Sequence, residues 1–123
     1  MSMRVLAIHS QEAVVRTIRK QLEESGWDVT GMTSAVGAML TCRQEAYDLV
    51  ICGFDLPVVS CIELVRTLRN YSVNKSTPVV ILCDGSESAA QRELATRLQA
   101  RLLRASQLND ALNEIMSPHE DEL

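Results

Sequence analysis

Three side chains that could do chemistry, His9, Asp55 and Cys83, each lie at or just beyond the end of a short apolar run of the chain. If these runs are parallel strands of one sheet, the three residues lie at its carboxyl edge, where such sheets bind ligands. Imidazole, carboxylate and thiolate groups are ligands of zinc, so one hypothesis is a metal site. The three residues come from separate loops without a local ligand-spacing motif. We therefore favour a histidine that is hydrogen-bonded within a pocket.

The cysteines are a second group with possible chemistry. Cys42, Cys52, Cys61 and Cys83 show no CxxC spacing, and two of them lie inside apolar runs. We interpret them as small buried hydrophobic residues of a reducing cytoplasm. A redox pair between Cys52 and Cys83, at neighbouring strand ends, is the alternative. No nucleophile–base pair is evident, so the sequence does not predict an enzyme.

Size and charge restrict the class of protein further. The chain has 123 residues, of which 46% are hydrophobic and 23% charged, and its net charge is −4. This length fits one domain with one core, which we place at about residues 4–116, followed by an acidic tail at 117–123. An acidic chain is not expected to bind nucleic acid. No apolar run is long enough to span a membrane and no signal peptide is visible, so we expect a cytoplasmic protein.

Strand-like and helix-like segments alternate five times along the chain. The predicted strands are 5–8, 27–32, 48–52, 79–83 and 101–103. The predicted helices are 11–24, 34–45, 60–69, 87–98 and 106–116. Ser10, Ser34 and Ser106 are the predicted N-caps and Gly26 is a predicted helix stop. In the second helix, Val36, Met39 and Leu40 are predicted to face inward, as are Leu108, Leu112 and Ile115 in the last.

The apolar pattern also predicts how the strands are arranged. Segments 5–8, 48–52 and 79–83 are almost wholly apolar, which is typical of strands covered on both faces of a parallel sheet. Segment 27–32 is interrupted by Gly31 and is predicted at an edge. Alternating strands and helices require right-handed crossovers. The sequence therefore predicts a flavodoxin-like α/β fold, with five parallel strands in the order 2-1-3-4-5 and helices on both faces.

Residues 47–57, of sequence YDLVICGFDLP, resemble the third strand and following loop of response-regulator receiver domains. The likeness extends over about residues 4–116. In that family an Asp ends the third strand and accepts a phosphoryl group, whereas this chain has Gly53 at the position. The resemblance therefore implies a degenerate receiver, or pseudo-receiver, which lacks the phosphoacceptor.

Other positions also lack the residues that the family uses for Mg²⁺ binding and phosphorylation. An acidic pair that holds Mg²⁺ is replaced by His9 and Ser10, and the hydroxyl residue after the fourth strand by Cys83. Arg104 stands where the family has a lysine. Mg²⁺ needs carboxylate ligands, so the resemblance implies a pocket without metal, cofactor or phosphorylation. Its predicted members are His9, Ser10, Asp55, Cys83 and Arg104.

Two other functions remain open. Asp55 lies two positions beyond Gly53 and could accept a phosphoryl group in an atypical site. A small ligand could bind in the crevice at the carboxyl edge, although no GxGxxG or GxxxxGK[ST] motif is present. Otherwise Asp55 is a solvated loop acid, and Asp84 forms a turn before Gly85.

Receivers dimerise and dock partners through their fourth helix, fifth strand and fifth helix. In this chain arginines and leucines are interleaved in that region: Arg92, Leu94, Arg97, Leu98, Arg101, Leu102, Leu103 and Arg104. We predict that Arg97, Arg101 and Arg104 contact a protein partner or a second copy of the chain. The function implied is a bacterial two-component signalling module that acts by phosphorylation-independent protein–protein interaction.

Overall fold

The computed structural model describes residues 3–116 and, within them, every side chain except those at 113, 115 and 116. Over this range five strands alternate with five α-helices. The strands are β1 (Arg4–Ile8), β2 (Asp28–Met32), β3 (Leu49–Gly53), β4 (Val79–Leu82) and β5 (Ala100–Leu103). The helices are α1 (Glu12–Glu23), α2 (Ala35–Gln44), α3 (Cys61–Tyr71), α4 (Ala89–Arg97) and α5 (Leu108–Met116), with a 3₁₀ turn at Ala105–Gln107. The predicted acidic tail, 117–123, lies outside the described residues.

All strand pairs are parallel, and the strand order is β2-β1-β3-β4-β5. This confirms the predicted flavodoxin-like topology. The three continuously apolar strands, β1, β3 and β4, are the central ones, because only there is each face covered by helices. The interrupted strand β2 lies at an edge, as predicted.

The core has two layers, because successive strand residues point to opposite faces of the sheet. Leu6 and Ile81 belong to the layer beneath α2, α3 and α4. Val5 and Val80 belong to the layer beneath α1 and α5. All four side chains are fully buried, and burial of an aliphatic side chain of this size stabilises by about 2 kcal/mol.

The structure corrects one N-cap and confirms another. Ser34 caps α2, and its hydroxyl accepts the backbone N–H of Gly37 at 3.2 Å. Ser10 does not cap α1: the N-cap is Gln11, whose side chain makes no capping bond within the described residues. Instead, the backbone N–H of Gln11 donates to Nδ1 of His9 at 3.0 Å. The imidazole therefore accepts the N–H of the N-cap residue itself, whereas a Ser10 cap would have accepted an N–H from the first turn of the helix.

The ends of two other helices can be compared in the same way. Ser106 does not cap α5, because it lies inside the 3₁₀ turn that precedes the helix. That turn is closed by the Gln107 side chain, whose Oε1 accepts the backbone N–H of Arg104 at 3.0 Å. Gly26 has a φ of +84° just after α1, which confirms its role as a helix stop.

Helix α2 is rotated relative to the prediction. Val36 is 45% exposed and Leu40 is 60% exposed, so the prediction that both face inward is wrong. The buried residues of the helix are Ala35, Ala38 and Cys42. These are small side chains, which allow α2 to pack closely against the sheet and α3. Met39 is half-buried, as part of its side chain packs against the core.

The last helix agrees with the prediction where it can be compared. Leu108 and Leu112 of α5 are buried against the sheet, which confirms their predicted orientation. The side chain of Ile115 lies outside the described residues.

Candidate functional site

A cavity of about 320 Å³ opens at the carboxyl edge of the sheet, between the loops that follow β1, β3 and β4. The residues that line it are His9, Ser10, Gln11, Val14, Phe54, Asp55, Leu82, Cys83, Asp84 and Ala105. Four of the five predicted pocket residues, His9, Ser10, Asp55 and Cys83, are therefore brought together. They meet because the central strands are parallel and end at the same edge.

Arg104 does not line this cavity. It lines a neighbouring cavity of about 460 Å³, together with Cys83, Glu87 and Arg92. Cys83 contributes to the walls of both cavities. The guanidinium of Arg104 thus belongs to the side of the site next to β5 and α4, away from His9.

Gly53 is buried at the end of β3, directly beside the ring of His9. A Cβ atom at position 53 would lie 2.6 Å from Cδ2 and 3.1 Å from Nε2 of the imidazole. Carbon atoms in contact are ordinarily about 3.5–4.0 Å apart. His9 therefore occupies the space into which a side chain at position 53 would project.

The surroundings of His9 favour its neutral form. Burial lowers the pKa of His9 below its ordinary value of 6.5, and the nearby Asp55 carboxylate opposes this shift. Burial acts in this direction because the imidazolium loses hydration when it leaves water. In addition, Nδ1 must be unprotonated to accept the N–H of Gln11. The geometry thus fits an imidazole with its proton on Nε2.

The cysteine thiols are held in their protonated form. All four cysteines lie within the described residues and are free. Burial raises the pKa of Cys42, Cys61 and Cys83 to about 11, and raises that of Cys52 well above its ordinary value. The thiolate is the reactive form of cysteine and the form that ligates metals. Three of the cysteines are buried and Cys83 is half-buried, and their protonated thiols do not favour a redox pair of Cys52 and Cys83.

The pocket does not fit a metal ion. Residues 3–116 contain no group of three or more His, Cys, Asp or Glu side chains that could hold one, so a site formed by His9, Asp55 and Cys83 is not supported. Mg²⁺ is held by carboxylates at near-octahedral geometry, and neither His9 nor Ser10 after β1 supplies one. The two carboxylates of the lining, Asp55 and Asp84, are both exposed. Hydrogen bonds from the neighbouring Ser86 lower the pKa of Asp84.

The side chain of Glu87 is buried, which sequence reasoning missed. Its side chain is 3% exposed and is paired with Arg92, whose Nη1 donates at 2.8 Å. It also accepts the backbone N–H of Gly85 at 3.2 Å. After burial, Glu87 is the next cause of the raised pKa of Cys83. The residue lies in a polar loop before α4, where no periodicity distinguishes a buried carboxylate from a solvated one.

The predicted docking arginines are exposed, and two of them are paired with acids of the same chain. Arg97 contacts Glu93 at 2.9 Å within α4, and Arg101 of β5 contacts Glu114 of α5 at 3.1 Å. Arg104 is exposed just beyond β5. Exposed pairs of this kind contribute about 0–1 kcal/mol. These elements therefore present charges of both signs, while Leu98 and Leu102 are half-buried in one layer of the core and Leu103 in the other.

A parallel sheet in this order, with a pocket at its carboxyl edge, defines the flavodoxin-like class of doubly wound α/β domains. Within that class, residues 5–114 match the family model of the response regulator receiver domain, and the chain belongs to this family. It is thus a receiver domain, a signalling module of two-component systems.

Two curated bacterial relatives are similar to part of the chain. The phosphate regulon transcriptional regulatory protein PhoB of Rhizobium meliloti is 32% identical over 94 residues, which cover 76% of this chain and 41% of that protein. The cell cycle transcriptional regulator CtrA of Caulobacter vibrioides is 34% identical over 85 residues, which cover 69% of this chain and 36% of that protein. The chain thus spans about two fifths or less of the relatives it matches.

Solved structures show the same fold at low sequence identity. The chemotaxis response regulator CheY4 of Vibrio cholerae superposes with a TM-score of 0.84 at 20% identity, over 94% of this chain and 99% of that one.

In residues 3–116 there is no helix with the length and apolar character required to cross a membrane.

Proposed function

We propose that this receiver domain is degenerate and transmits its signal without being phosphorylated, in the bacterial cytoplasm. The observation that carries the proposal is the arrangement at the end of β3. Gly53 has no side chain to accept a phosphoryl group, and the ring of His9 fills the adjacent space. Phosphoryl transfer depends on positioning and on metal ions that neutralise the developing charge. Neither an acceptor at position 53 nor a carboxylate at positions 9 and 10 is available for this.

The test is direct phosphorylation of the purified domain. We expect that incubation with acetyl phosphate and Mg²⁺ produces no adduct in intact-mass spectra, and that beryllofluoride with Mg²⁺ leaves the amide NMR spectrum unchanged. A receiver domain that carries the strand-end Asp serves as the positive control. A labile phosphoryl adduct on Asp55, which disappears in Asp55→Asn, would contradict the proposal and establish the atypical acceptor.

The remaining task of such a domain is binding, and we propose that it docks through α4, β5 and α5 to an acidic protein surface or to a second copy of the chain. The support is the position of Arg97, Arg101 and Arg104, which are all exposed on these elements. Leu94 is 38% exposed on the same helix as Arg97. Arginine heads beside apolar side chains are typical of protein interfaces.

Charge reversal tests this surface. In the triple variant Arg97→Glu, Arg101→Glu and Arg104→Glu, we expect weaker self-association in sedimentation experiments or loss of the captured partner in pull-downs. An arginine buried in an interface contributes about 2 kcal/mol, or roughly 30-fold in Kd. The matched control reverses Arg16 and Arg19, which are exposed and ion-paired on α1. Equal behaviour of the two variants would remove this face from consideration.

A further inference from the structure

We infer that His9 and Gly53 are a matched pair: the imidazole closes the acceptor position, and residue 53 can carry a side chain only if the ring of residue 9 leaves its place or is removed. The inference rests on the proposed function and gives it a physical cause. An acceptor at position 53 is excluded by the packing of His9, in addition to being absent from the sequence. The contact that carries the inference is the 2.6 Å separation between an added Cβ and Cδ2 of His9.

The backbone at Gly53 does not require glycine. Gly26 and Gly85 have φ values of +84° and +93°, which L-residues rarely adopt, and an added Cβ at either position meets nothing within 4 Å. Gly53 differs from both in backbone and in surroundings. It is the last residue of a regular parallel strand, and an added Cβ there meets the ring of His9. Glycine weakens a strand because it brings more conformational freedom and no side chain to pack. Its presence there is accounted for by the ring beside it.

One hydrogen bond holds the ring of His9, and a second holds the backbone that carries it. Nδ1 accepts the backbone N–H of Gln11 at 3.0 Å, and the backbone N–H of His9 donates to the carbonyl of Met32 at 3.1 Å. If the imidazole rotated away, the Gln11 N–H at the start of α1 would lose its acceptor. A side chain at position 53 therefore disturbs the loop after β1 as well as the pocket itself.

Packing of this kind makes the effects of the two positions non-additive, because residues in contact couple when both are changed. With the imidazole present, Gly53→Ala forces the ring out of its place. With the imidazole removed by His9→Ala, the same methyl group enters the vacated space and replaces glycine in a strand. We expect the substitution at position 53 to change the sign of its effect on stability between the two backgrounds.

The experiment is a double-mutant cycle of the wild type, Gly53→Ala, His9→Ala and the double variant, measured by urea unfolding. We expect Gly53→Ala to lower the unfolding midpoint in the wild-type background and to raise it in the His9→Ala background. In the single variant, the Gln11 amide should also lose protection from hydrogen exchange. Equal midpoint shifts in both backgrounds would overturn the inference.

Gly37→Ala is the matched control. Gly37 lies in α2, and an added Cβ there has its nearest neighbour, Ser34, at 3.7 Å. We expect the same midpoint shift from this substitution in both backgrounds. If Gly53→Ala does not fold but the double variant does, the pair is established. If neither folds, the glycine is needed for another reason and the inference fails.

The inference and the proposed function can fail separately. A phosphoryl adduct on Asp55 of the wild type, together with a sign change in the cycle, would remove the proposed function and leave the matched pair. If the effects of the two substitutions are additive and no adduct forms, the matched pair is refuted. The proposed function then stands, because position 53 still lacks an acceptor side chain.

Discussion

At the amino-terminal edge of the sheet, Asn74 and Arg69 each connect the loops to the strands by several hydrogen bonds, whereas at the carboxyl-terminal edge the side chain of His9 makes one. Asn74 is 1% exposed at the amino edge, where it accepts the N–H of Tyr47 and donates to the carbonyls of Cys42 and Glu45. Arg69 is half-buried at the same edge. Its guanidinium donates to four backbone carbonyls, those of Leu98, Thr77, Lys75 and Gln99.

The carboxyl edge has a different character. His9 contributes one side-chain hydrogen bond, to the N–H of Gln11, and Asp55 is exposed at the mouth of the cavity. The two edges therefore differ in how their polar groups are used. Polar groups that fix the loops of the scaffold are buried and bonded, whereas the edge that carries the family's phosphorylation chemistry holds a neutral ring against a glycine.

The largest effect on stability is expected for Asn74→Leu at the amino edge. The substitution leaves the N–H of Tyr47 and the carbonyls of Cys42 and Glu45 without their partner. Each buried polar group left unpaired costs about 1–3 kcal/mol, so we expect a loss of about 3 kcal/mol or more in urea unfolding. Ser76→Ala, at an exposed position of the same loop, is the control, with an expected change within about 0.5 kcal/mol. Equal effects of the two would show that the amino edge is not fixed by Asn74.

The second-largest loss of stability is expected for Arg69→Met. This substitution retains much of the apolar stem and removes the guanidinium. Hydrogen bonds made by a charged group contribute about 1.5–3 kcal/mol, and we expect a total loss in this range because the loops are partly solvated. Arg66→Met, one turn earlier in α3, is the matched control. Arg66 is exposed and pairs only with Glu63 among the described residues, so its loss should cost less than about 1 kcal/mol. If thermal unfolding does not separate the two variants, the carbonyl contacts of Arg69 have no net value.

At the carboxyl edge, stability should depend on pH through His9. Because burial lowers the pKa of His9 below 6.5, the unfolded chain takes up its proton first as the pH falls. The contribution of His9 to stability is therefore complete above pH 6.5 and is lost progressively as the pH falls below it. We expect this loss in urea titrations of the wild type, and its absence in His9→Asn, which offers an acceptor to Gln11 and does not titrate.

Substitution of Asp55 gives a second test of the pH dependence that His9 causes. Its carboxylate opposes the lowered pKa of His9, so Asp55→Asn should lower that pKa further and extend the pH-dependent loss. The only other histidine, His119, is present in all three proteins and cancels in the comparison. Identical pH profiles for the wild type and His9→Asn would mean that the ring is not held in its neutral form.

The smallest effect is expected for the exposed ion pair of Arg97 and Glu93. Both side chains are mostly solvated, at 72% and 65% exposure, and Arg97→Gln should change stability by about 0.5 kcal/mol or less. Any larger effect of this variant should appear in association measured by sedimentation. A stability loss comparable to that of Asn74→Leu would show that the pair supports the fold itself.

The sequence was sufficient for the fold because the determinants of the fold are local. Continuous apolar runs identified β1, β3 and β4 as central strands, and the interruption at Gly31 identified an edge strand. The orientation of α2 could not be predicted in this way, because apolar residues occupy two of its faces. Which face is buried depends on how closely Ala35 and Ala38 allow the helix to approach its neighbours.

Four of the five predicted pocket residues could be identified from the sequence, but the contacts that they make could not. Residues at the carboxyl ends of parallel strands meet at one edge of the sheet. His9, Asp55 and Cys83 could be placed together on this ground, because it depends only on topology. The packing of His9 against Gly53, the burial of Glu87 and the bonds of Asn74 are contacts between distant parts of the chain. Side chains of these types in polar loops leave no periodic signal, so only the three-dimensional structure reveals them.

The short outer strands also determine how copies of this domain can meet. β5 has four residues and includes the exposed Arg101, while β2 at the opposite edge has five and begins with the exposed Asp28. Charged side chains on short edge strands disfavour the addition of a further strand from another molecule. A dimer of this domain is therefore expected to form by side-chain packing between subunits, and a continuous intermolecular β-sheet is not.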